Sequence, residues 1–355
     1  MKFRVLAINP GSTSTKVAVY EDDAVQFSEV INHASEYLET FSSVAAQYAF
    51  RHNAIISLLQ ENNISIHTLH AVVGRGGFLK PIASGTYVVN EAMVKALENP
   101  WKEHASNLGG LIARKIADEV GIQAYIVDPV VVDEMMSVAR FSGLKGIERQ
   151  SIFHALNQKA VARRLAEDID KAYGSSNVII AHLGGGITVG AHQCGKVVDV
   201  NNGLDGEGAF SPERSGTLPV GDIIKRCFSG RYSEDAIKRQ IVGGGGMVSY
   251  FGTNDVREVE ALAARHDEEA SLAIDAMAYQ VSKEIGAMAA VLEGNVDAIA
   301  LTGGVAYSEV ITQSIMKRIA FIAPVHIYPG EDEMTALAMG ALRVLKQEEE
   351  AKEYE

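Results

Sequence analysis

Three glycine-rich turns in this sequence each follow directly on a run of apolar residues. The first reads NPGSTST from Asn9, the second HLGGG from His182, and the third TGGV from Thr302. Glycine lets bare backbone approach an anion, so that peptide N–H groups can point at phosphate oxygens. The three turns together therefore favour a phosphate-binding site. None of them is a Walker A loop, and no G-x-G-x-x-G pattern follows the first apolar run, so P-loop and Rossmann folds lose their main support.

Two arginines and one aspartate stand where they could serve such a site. Arg75 lies in VVGRGG and Arg214 in PERSGT, and a planar guanidinium can clamp a carboxylate or phosphoryl group with two parallel hydrogen bonds. Either arginine could instead belong to a structural ion pair. Asp128 follows the apolar run AYIV and precedes Pro129, a position suited to the mouth of a strand, where α/β active sites gather. It could equally be a turn aspartate.

The elements that must position these residues alternate between strands and helices. Residues 5–20 predict a hairpin with a small-residue tip, residues 178–192 repeat that plan and continue into another strand, and residues 296–308 predict a strand, a glycine turn and then a helix. Apolar residues recur at helical spacing over 157–173 and 272–293. The pattern predicts α/β layers.

Two further segments are less distinctive. GGGG at 243–246 is a tight turn or hinge, although a phosphate cradle is also open at this stage. A last helix is predicted to begin near Glu333, with the acidic end QEEEAKEYE fraying from it.

Length, charge and cysteine content limit the classes of protein. A chain of 355 residues exceeds the usual single core, so we expect two domains. The formal net charge of −13 argues against a nucleic-acid surface, which needs clustered Lys and Arg. Two cysteines without metal-ligand spacing make a disulfide framework or zinc knuckle implausible. Without a signal-peptide core or a membrane-length apolar run, we expect a soluble cytosolic protein.

Several of these segments also match known proteins. A duplicated strand-turn-strand unit with phosphate turns resembles the actin, sugar kinase and chaperone ATPase superfamily, and INPGSTSTK at 8–16 closely resembles the signature of the acetate and butyrate kinase family. Seven further matches run in family order along almost the whole chain. They are VVGRGG, VDPVV, FHALNQ, AHLGGG, PERSGT, TNDVR and LTGGVAYS. The short length, the GRGGF wording and the GGGGMVSYFGTND stretch resemble butyrate kinases more than acetate kinases.

The resemblance implies a two-lobed actin-like ATPase fold, related to ribonuclease H, with duplicated mixed-sheet domains, surrounding helices and ATP between the lobes. We place the N-terminal lobe, on the carboxylate and phosphate side, at 1–150 plus 331–355, and the C-terminal, nucleotide-side lobe at 151–330. The implied reaction is butanoate + ATP = butanoyl phosphate + ADP, in either direction. Acetate, propionate or isobutyrate kinases of the same family remain alternatives. The resemblance also suggests a homo-oligomer, either a dimer or an assembly of dimers.

The family pattern assigns roles to particular residues. Arg75 and Arg214 would flank the reaction centre, His154 and His182 would donate to phosphoryl oxygens, and Asp128 would orient an arginine or hydrated Mg²⁺. Without the flanking motifs, each histidine would more often be a hydrogen-bonded core or turn residue. The residues implied for nucleotide and phosphate binding are Asn9, Ser12, Ser14, Lys16, His182, Gly184, Gly185, Gly186, Asp255, Arg257, Gly303, Gly304 and Val305.

Several of these assignments have a simpler structural alternative. The serines could serve ordinary turn chemistry, Lys16 could be solvated beside its hairpin, and Asp255 could cap a helix beginning at Val256. For Mg²⁺, the family places a glutamate after a strand that ends in proline. Glu331, Asp332 and Glu333 are candidates, and we favour Glu333 together with Asn9, since Mg²⁺ prefers hard oxygen ligands and keeps several waters.

The expected reaction needs charge neutralisation rather than a base. A carboxylate with a pKa of ~4 is already ionised at pH 7, so the obstacle is repulsion between two anions. Acetate kinases have bulky V-V-H after the substrate arginine, whereas here Gly76 and Gly77 follow Arg75 at once. If the missing valine lined the methyl pocket, a longer acid would enter, with Phe153 as an apolar wall. The glycine pair could also merely reshape a turn.

Two other functions remain open from the sequence. A sugar kinase of the same fold would need an aspartate base, because a sugar hydroxyl is not ionised at neutral pH, and Asp128 could serve as one. A nucleotide-dependent interaction protein of the actin or chaperone kind would have no need of the paired arginines.

Overall fold

The computed structural model describes residues 2–355, which divide into two compact units. The first unit is the chain up to Val132 together with Asp332–Glu355, and the second unit is Asp133–Glu331. Residues 133–150, which the sequence prediction grouped with the N-terminal lobe, belong to the second unit in this division.

The first unit is built on a six-stranded mixed sheet with the order β3-β2-β1-β4-β6-β5. β1 pairs antiparallel with β2 and parallel with β4, which confirms the predicted opening hairpin. Val5 to Ile8 of β1 have no exposed surface, because β1 is a central strand with the helices at 107–120 and 333–345 packed against it. The strands and helices are β1 Arg4–Pro10, β2 Ser14–Glu21, β3 Ala24–Asn32, α1 Ser35–Leu38, α2 Tyr48–Glu61, β4 Ala71–Arg75, β5 Thr86–Val88, α3 Glu91–Glu98, α4 Asn107–Val120 and β6 Gln123–Val127.

The second unit repeats this plan on a five-stranded sheet with the order β11-β10-β7-β8-β9. β7, β8 and β9 form an antiparallel meander, and β10 lies parallel to β7, as the internal similarity predicted. The elements are α5 Ser137–Arg140, α6 Ala155–Asp168, β7 Asn177–Leu183, β8 Ile187–Gln193, β9 Lys196–Val200, α7 Val220–Cys227, α8 Glu234–Ile241, α9 Gly246–Phe251, α10 Val256–Ala264, α11 Glu268–Val291, β10 Ala298–Gly303, α12 Glu309–Ile319 and β11 Val325–Pro329.

Two of the predicted helices begin directly after a capping aspartate. α11 begins where the Asp267 side chain accepts a hydrogen bond from Ala270 N, and its apolar stripe packs on β7 and β8. The last helix, α13 Glu333–Leu345, begins where Asp332 caps Thr335 N, close to the predicted start. No helix within residues 2–355 is long and apolar enough to cross a membrane.

The acidic C-terminal end does not fray, which corrects the sequence prediction. Lys352 exchanges backbone hydrogen bonds with Thr86 and Val88 (2.8 and 2.9 Å), and the Tyr354 side chain is buried. Asn90 donates to the Tyr354 carbonyl at 2.8 Å. Backbone pairing with β5 and burial of one aromatic ring outweigh the repulsion among the surrounding glutamates.

Candidate active site

The turn between β1 and β2 is held from beneath by a buried arginine. Arg51 of α2 has no exposed surface, and it donates to the carbonyls of Gly11, Ser12 and Ser14 at 2.8 to 3.0 Å. Every acceptor that it meets among residues 2–355 is an uncharged oxygen. The guanidinium therefore leaves a positive charge below the turn, which favours an anion there.

The predicted side chains of this hairpin lie around that turn. Ser12 and Lys16 are exposed and Ser14 is half-buried. Ser12 lies in the bend, whereas Ser14 and Lys16 lie on β2.

Asn9, Arg75 and Glu333 meet at the carboxyl ends of β1 and β4 and the start of α13. Arg75 Nη1 lies 2.8 Å from both carboxylate oxygens of Glu333. Asn9 donates to the same carboxylate at 2.6 Å, and its Oδ1 accepts from Arg75 at 3.3 Å. Asn9 is buried, the Glu333 side chain is 11% exposed, and the Arg75 side chain is about one-third exposed at 34%. Three residues predicted to act on the carboxylate and metal thus form one hydrogen-bonded cluster.

The oxygens of this cluster have the chemistry that Mg²⁺ prefers. Glu333 supplies a carboxylate and Asn9 an amide oxygen, both hard ligands. Within residues 2–355 no group of three His, Cys, Asp or Glu side chains is arranged to hold a metal ion. The donor set therefore fits a cation that keeps several waters and takes its remaining ligands from phosphate, as Mg²⁺ does.

Gly76 and Gly77 are packed tightly rather than opening a pocket of their own. A Cβ at Gly76 would lie 2.6 Å from the Pro129 side chain, and one at Gly77 would lie 2.2 Å from Asn107 Oδ1. Asn107 also accepts from Phe78 N at 2.8 Å, which fixes the chain after Arg75. The space directly beside the two glycines is thus filled by these neighbours, and their part in an acyl pocket stays a prediction.

His104 is a residue near Arg75 that the sequence did not single out. It packs edge-on against Phe78, which in turn packs edge-on against Trp101. Burial and then the charges of Arg75 and Lys102 lower the pKa of His104. His104 is thus within electrostatic reach of the arginine that is predicted to bind the acid, and it belongs to a group with two further aromatic rings.

Asp128 occupies a turn after β6 and has a positive φ of 38°. Its Oδ1 accepts from Gly85 N at 2.7 Å, while its own N–H donates to Gly85 O at 3.1 Å. This reciprocal pair ties β6 to the segment before β5, as the turn interpretation expects. The electrostatic role of Asp128 stays a prediction.

In the second unit, His154 and His182 stack on each other. Their ring centroids are 3.8 Å apart and their planes differ by 13°. His154 Nδ1 lies 2.9 Å from Thr188 Oγ1, and His182 Nδ1 lies 2.7 Å from Asn157 Oδ1. His182 Nε2 lies 3.0 Å from Glu331 Oε1, but the angle is not that of a hydrogen bond. Because two imidazolium ions this close would repel, the stack is favourable with no more than one charge.

The second glycine turn lies against Arg214. A Cβ at Gly186 would lie 1.8 Å from Arg214 Nη1, so any other residue there would displace the guanidinium from its present position. Gly184 borders His182 and Glu331 in the same way, and Gly185 borders Glu213. Arg214 donates to the Gly203 carbonyl, and burial lowers the pKa of its guanidinium. Phe153 is buried in the neighbouring chain segment, directly before His154.

The third glycine turn lies at the same edge of the sheet as the second. β10 runs beside β7 with Thr302 opposite His182. Gly303 has a φ of 92°, and a Cβ there would lie 2.4 Å from the Leu183 carbonyl, so the position requires glycine. Gly304 is exposed, whereas the Val305 side chain packs in the core.

Asp255 and Arg257 pair with each other at the start of α10. Asp255 caps the helix by accepting from Arg257 N at 3.0 Å, and Arg257 Nη2 lies 2.6 Å from its carboxylate. The Arg257 side chain is 88% exposed. The helix-cap interpretation is therefore observed, and contact with adenosine stays a prediction.

The GGGG segment forms a close-packed turn beside Arg214. Gly246 has a φ of 58°, and a Cβ there would lie 1.7 Å from the Ser211 carbonyl. Its packing against the chain around Ser211 fits the interpretation as a tight turn.

Sequence reasoning missed several residues that support these clusters. Arg51 gives no signal, since it is one charged residue within an ordinary helical pattern. Asn157 and Gln158 lie inside the FHALNQ motif, but they are uncharged amides, and the sequence prediction considered mainly charged groups. Thr188, one strand further on, could have been found only from the pairing of β7 with β8.

Known proteins resemble this chain in sequence and in fold. The sequence profile of the acetokinase family matches residues 139–338. The chain is 56% identical to butyrate kinase 2 of Clostridium acetobutylicum over 355 residues, which is the whole length of both proteins.

Two solved structures illustrate the likeness in fold. Acetate kinase of Porphyromonas gingivalis has a TM-score of 0.79 at 21% identity, and acetate kinase of Entamoeba histolytica has a TM-score of 0.75 at 19% identity. Each comparison covers 97% of this chain and 100% of the other. These likenesses confirm the predicted actin-like ATPase fold.

Proposed function

Since this chain belongs to the acetokinase family, and so is a kinase of short-chain carboxylates that uses ATP and ADP, we propose that its preferred acid is butyrate. The observation that carries this proposal is the 56% identity, over both full lengths, to a butyrate kinase. Isobutyrate is the second candidate. The predicted family and carboxylate kinase activity are confirmed, and the sugar kinase and interaction-protein alternatives are set aside.

We propose that the cluster of Asn9, Arg75 and Glu333 receives the acid and the metal. The acid is already ionised, so Arg75 has only to hold its carboxylate and reduce its repulsion from phosphate. Glu333 and Asn9 would hold Mg²⁺ with waters and phosphate, and the ion would neutralise charge on the phosphate oxygens. Arg51, below the first turn, adds a positive charge that is already in position before the phosphates enter. No rearrangement of the protein is needed to provide it.

We propose that His154, His182 and Arg214 stabilise the phosphoryl group during transfer. The loose transition state carries its charge on three equatorial oxygens, which hydrogen-bond donors and cations can neutralise. The glycine turns at 184–186 and 303–304 would present backbone N–H groups to the nucleotide phosphates, and a Cβ at Gly304 would have nothing within 4 Å of it. Asp255 and Arg257 would contact adenosine from the start of α10, where the Arg257 side chain is 88% exposed.

The acyl chain would lie near Arg75 and the aromatic group of Phe78, Trp101 and His104. Each buried methylene of the acid contributes about 0.8 kcal/mol, so a pocket that fits butyrate favours it over acetate by about fourfold for each filled methylene position. Because Pro129 and Asn107 fill the space beside the glycine pair, the room for these methylenes would come from the aromatic side.

The test is a hydroxylamine trap for acyl phosphate across acetate, propionate, butyrate, isobutyrate and valerate. We expect the highest kcat/KM for butyrate and a poor value for acetate. A preference for acetate would overturn the substrate proposal. Sugar-dependent ADP release without any hydroxamate would contradict carboxylate phosphorylation altogether.

We further propose that the enzyme works in the cytosol as a homo-oligomer. Both cysteines are free thiols, Cys194 and Cys227, which is the state that a reducing compartment maintains. Sedimentation of the purified protein would test the assembly, and a monomer at working concentration would contradict it.

A further inference from the structure

A chain of hydrogen bonds leads from His154 into the interior of the second unit. His154 Nδ1 lies 2.9 Å from Thr188 Oγ1, which lies 2.9 Å from Gln158 Nε2. Gln158 Oε1 lies 3.1 Å from His192 Nε2, and His192 Nδ1 lies 2.9 Å from the Tyr173 hydroxyl. Gln158, Thr188 and His192 have no exposed surface, so water does not compete for these bonds.

The donor-to-acceptor direction of these hydrogen bonds is fixed at Gln158. Its Nε2 lies 3.0 Å from the Thr188 backbone carbonyl, which can only accept a hydrogen bond. The amide nitrogen therefore faces Thr188 and the amide oxygen faces His192. Gly190 provides the space, because a Cβ there would lie 2.5 Å from Gln158 Oε1.

The protonation state of His192 is consistent with this donor-to-acceptor direction. Burial, and then the charges of Lys159 and Arg163, hold the pKa of His192 well below its usual value, so the ring is neutral at pH 7. It has one N–H, which Nε2 donates to Gln158 Oε1. Its Nδ1 is then the acceptor for the Tyr173 hydroxyl, and both ring nitrogens are satisfied.

The hydroxyl of Thr188 determines which nitrogen of His154 is the acceptor. Its hydroxyl accepts from Gln158 and, being fully buried, needs an acceptor for its own proton. Among residues 2–355 the acceptor within reach is His154 Nδ1. Nδ1 therefore carries the lone pair, and the proton of the neutral ring resides on Nε2.

We propose that Thr188 and Gln158 are positioning residues that fix His154 in its Nε2–H tautomer. This inference rests on the proposed role of His154 at the phosphoryl group. The tautomer makes His154 a hydrogen-bond donor without a positive charge, which suits a ring that is stacked on a second imidazole. The donor is set before substrate arrives, so no tautomer change has to accompany the reaction.

The direct test is long-range ¹H–¹⁵N NMR of the full chain labelled with ¹⁵N-histidine, recorded at pH 8.5. The His154 signals are assigned by their loss in His154→Gln. We expect an unprotonated Nδ1 and a protonated Nε2. A protonated Nδ1, or a ring protonated on both nitrogens, would overturn the proposal.

Kinetics of three variants supply the second measurement. Thr188→Val keeps the shape and removes the hydroxyl, Thr188→Ser keeps the hydroxyl, and Thr312→Val removes another buried hydroxyl, in α12 of the same unit. We expect Thr188→Val to lower kcat by about 10- to 100-fold, somewhat less than full loss of a transition-state donor, with KM for ATP nearly unchanged. Thr188→Ser and Thr312→Val should retain wild-type kcat.

Wild-type turnover in Thr188→Val, or an equal loss in Thr188→Ser, would contradict the positioning role. If Thr188→Val does not fold, the spectrum of the unaltered protein still decides the tautomer. Wild-type turnover in His154→Gln would remove the proposed role of His154 while leaving the tautomer assignment intact, so the two failures can be told apart.

Discussion

Two residues predicted for phosphoryl transfer carry buried nitrogens that have no hydrogen-bond partner. They are His182 Nε2 and Arg214 Nε, and the statement covers partners among residues 2–355. Folded proteins pair nearly all buried polar atoms, so an orphan group at a candidate site needs a reason. A bound phosphoryl group would supply anionic oxygens as acceptors for both.

In the proposed site, the charge of Glu333 would pair with Arg75 on the acid side and with the metal. We expect Glu333→Gln to raise the Mg²⁺ concentration for half-maximal activity by about 10-fold or more, because an amide is a weaker ligand and no longer pairs with Arg75. Activity titrated against free Mg²⁺ measures this shift. Glu91→Gln, at a largely exposed side chain in the same unit, is the control. An unchanged Mg²⁺ dependence in Glu333→Gln would exclude it as a ligand.

At this scale the sequence revealed residues that belong to a pattern and missed those that act through packing. Arg75, Arg214 and the glycine turns could be predicted because charge beside glycine suits anion binding. Arg51 could not, since its value comes from the three carbonyls it reaches across the fold. Gly76 and Gly77 were found, but which neighbours fill the space beside them depends on tertiary contacts.

At the scale of elements, a methyl group added to the second glycine turn should leave the fold intact but lower the activity. In Gly186→Ala the new Cβ would meet the end of the Arg214 side chain, which is flexible and can move away. We expect kcat to fall by about 100-fold, with a small change in thermal stability.

Gly286→Ala in α11 is the matched control for this turn. A Cβ there meets nothing within 4 Å, and alanine in a helix interior is more stable than glycine by about 0.5–1 kcal/mol. Its melting temperature should rise and its activity stay unchanged. Full activity in Gly186→Ala would show that Arg214 does not need its present position.

The C-terminal end is an element whose stability contribution can be measured. Tyr354→Ala removes a buried ring and should lower the free energy of unfolding by about 3 kcal/mol. Tyr354→Phe keeps the ring and loses only a long contact from Lys80 N at 3.5 Å, so it should remain close to wild type. Equal denaturant midpoints for Tyr354→Ala and wild type would show that the end frays after all.

The main strands and helices could be predicted because each has a local signal. Alternating or continuous apolar runs gave the two hairpins, and helical spacing gave α6 and α11. The C-terminal end was predicted wrongly because its composition is acidic, whereas its pairing with β5 is a long-range contact that no local pattern encodes.

At the scale of the whole molecule, a net charge of −13 coexists with anion binding, because local groups supply the positive charge. The cations and donors are concentrated in one cluster in each unit, around Arg75 and around Arg214. The family motifs and their order along almost the whole chain were visible in the sequence. The ion pair in the first cluster was not, since it joins residues as distant in sequence as Arg75 and Glu333.

The central claim is that both clusters serve one transfer of phosphate to a carboxylate. The most direct measurement is butyryl hydroxamate turnover in Arg75→Ala and Arg214→Ala, with ATP binding followed by calorimetry and Arg114→Ala, at a surface ion pair, as the control. The account predicts that both variants lose about 100-fold or more in kcat while ATP still binds and Arg114→Ala stays active. Wild-type turnover in either variant would contradict it.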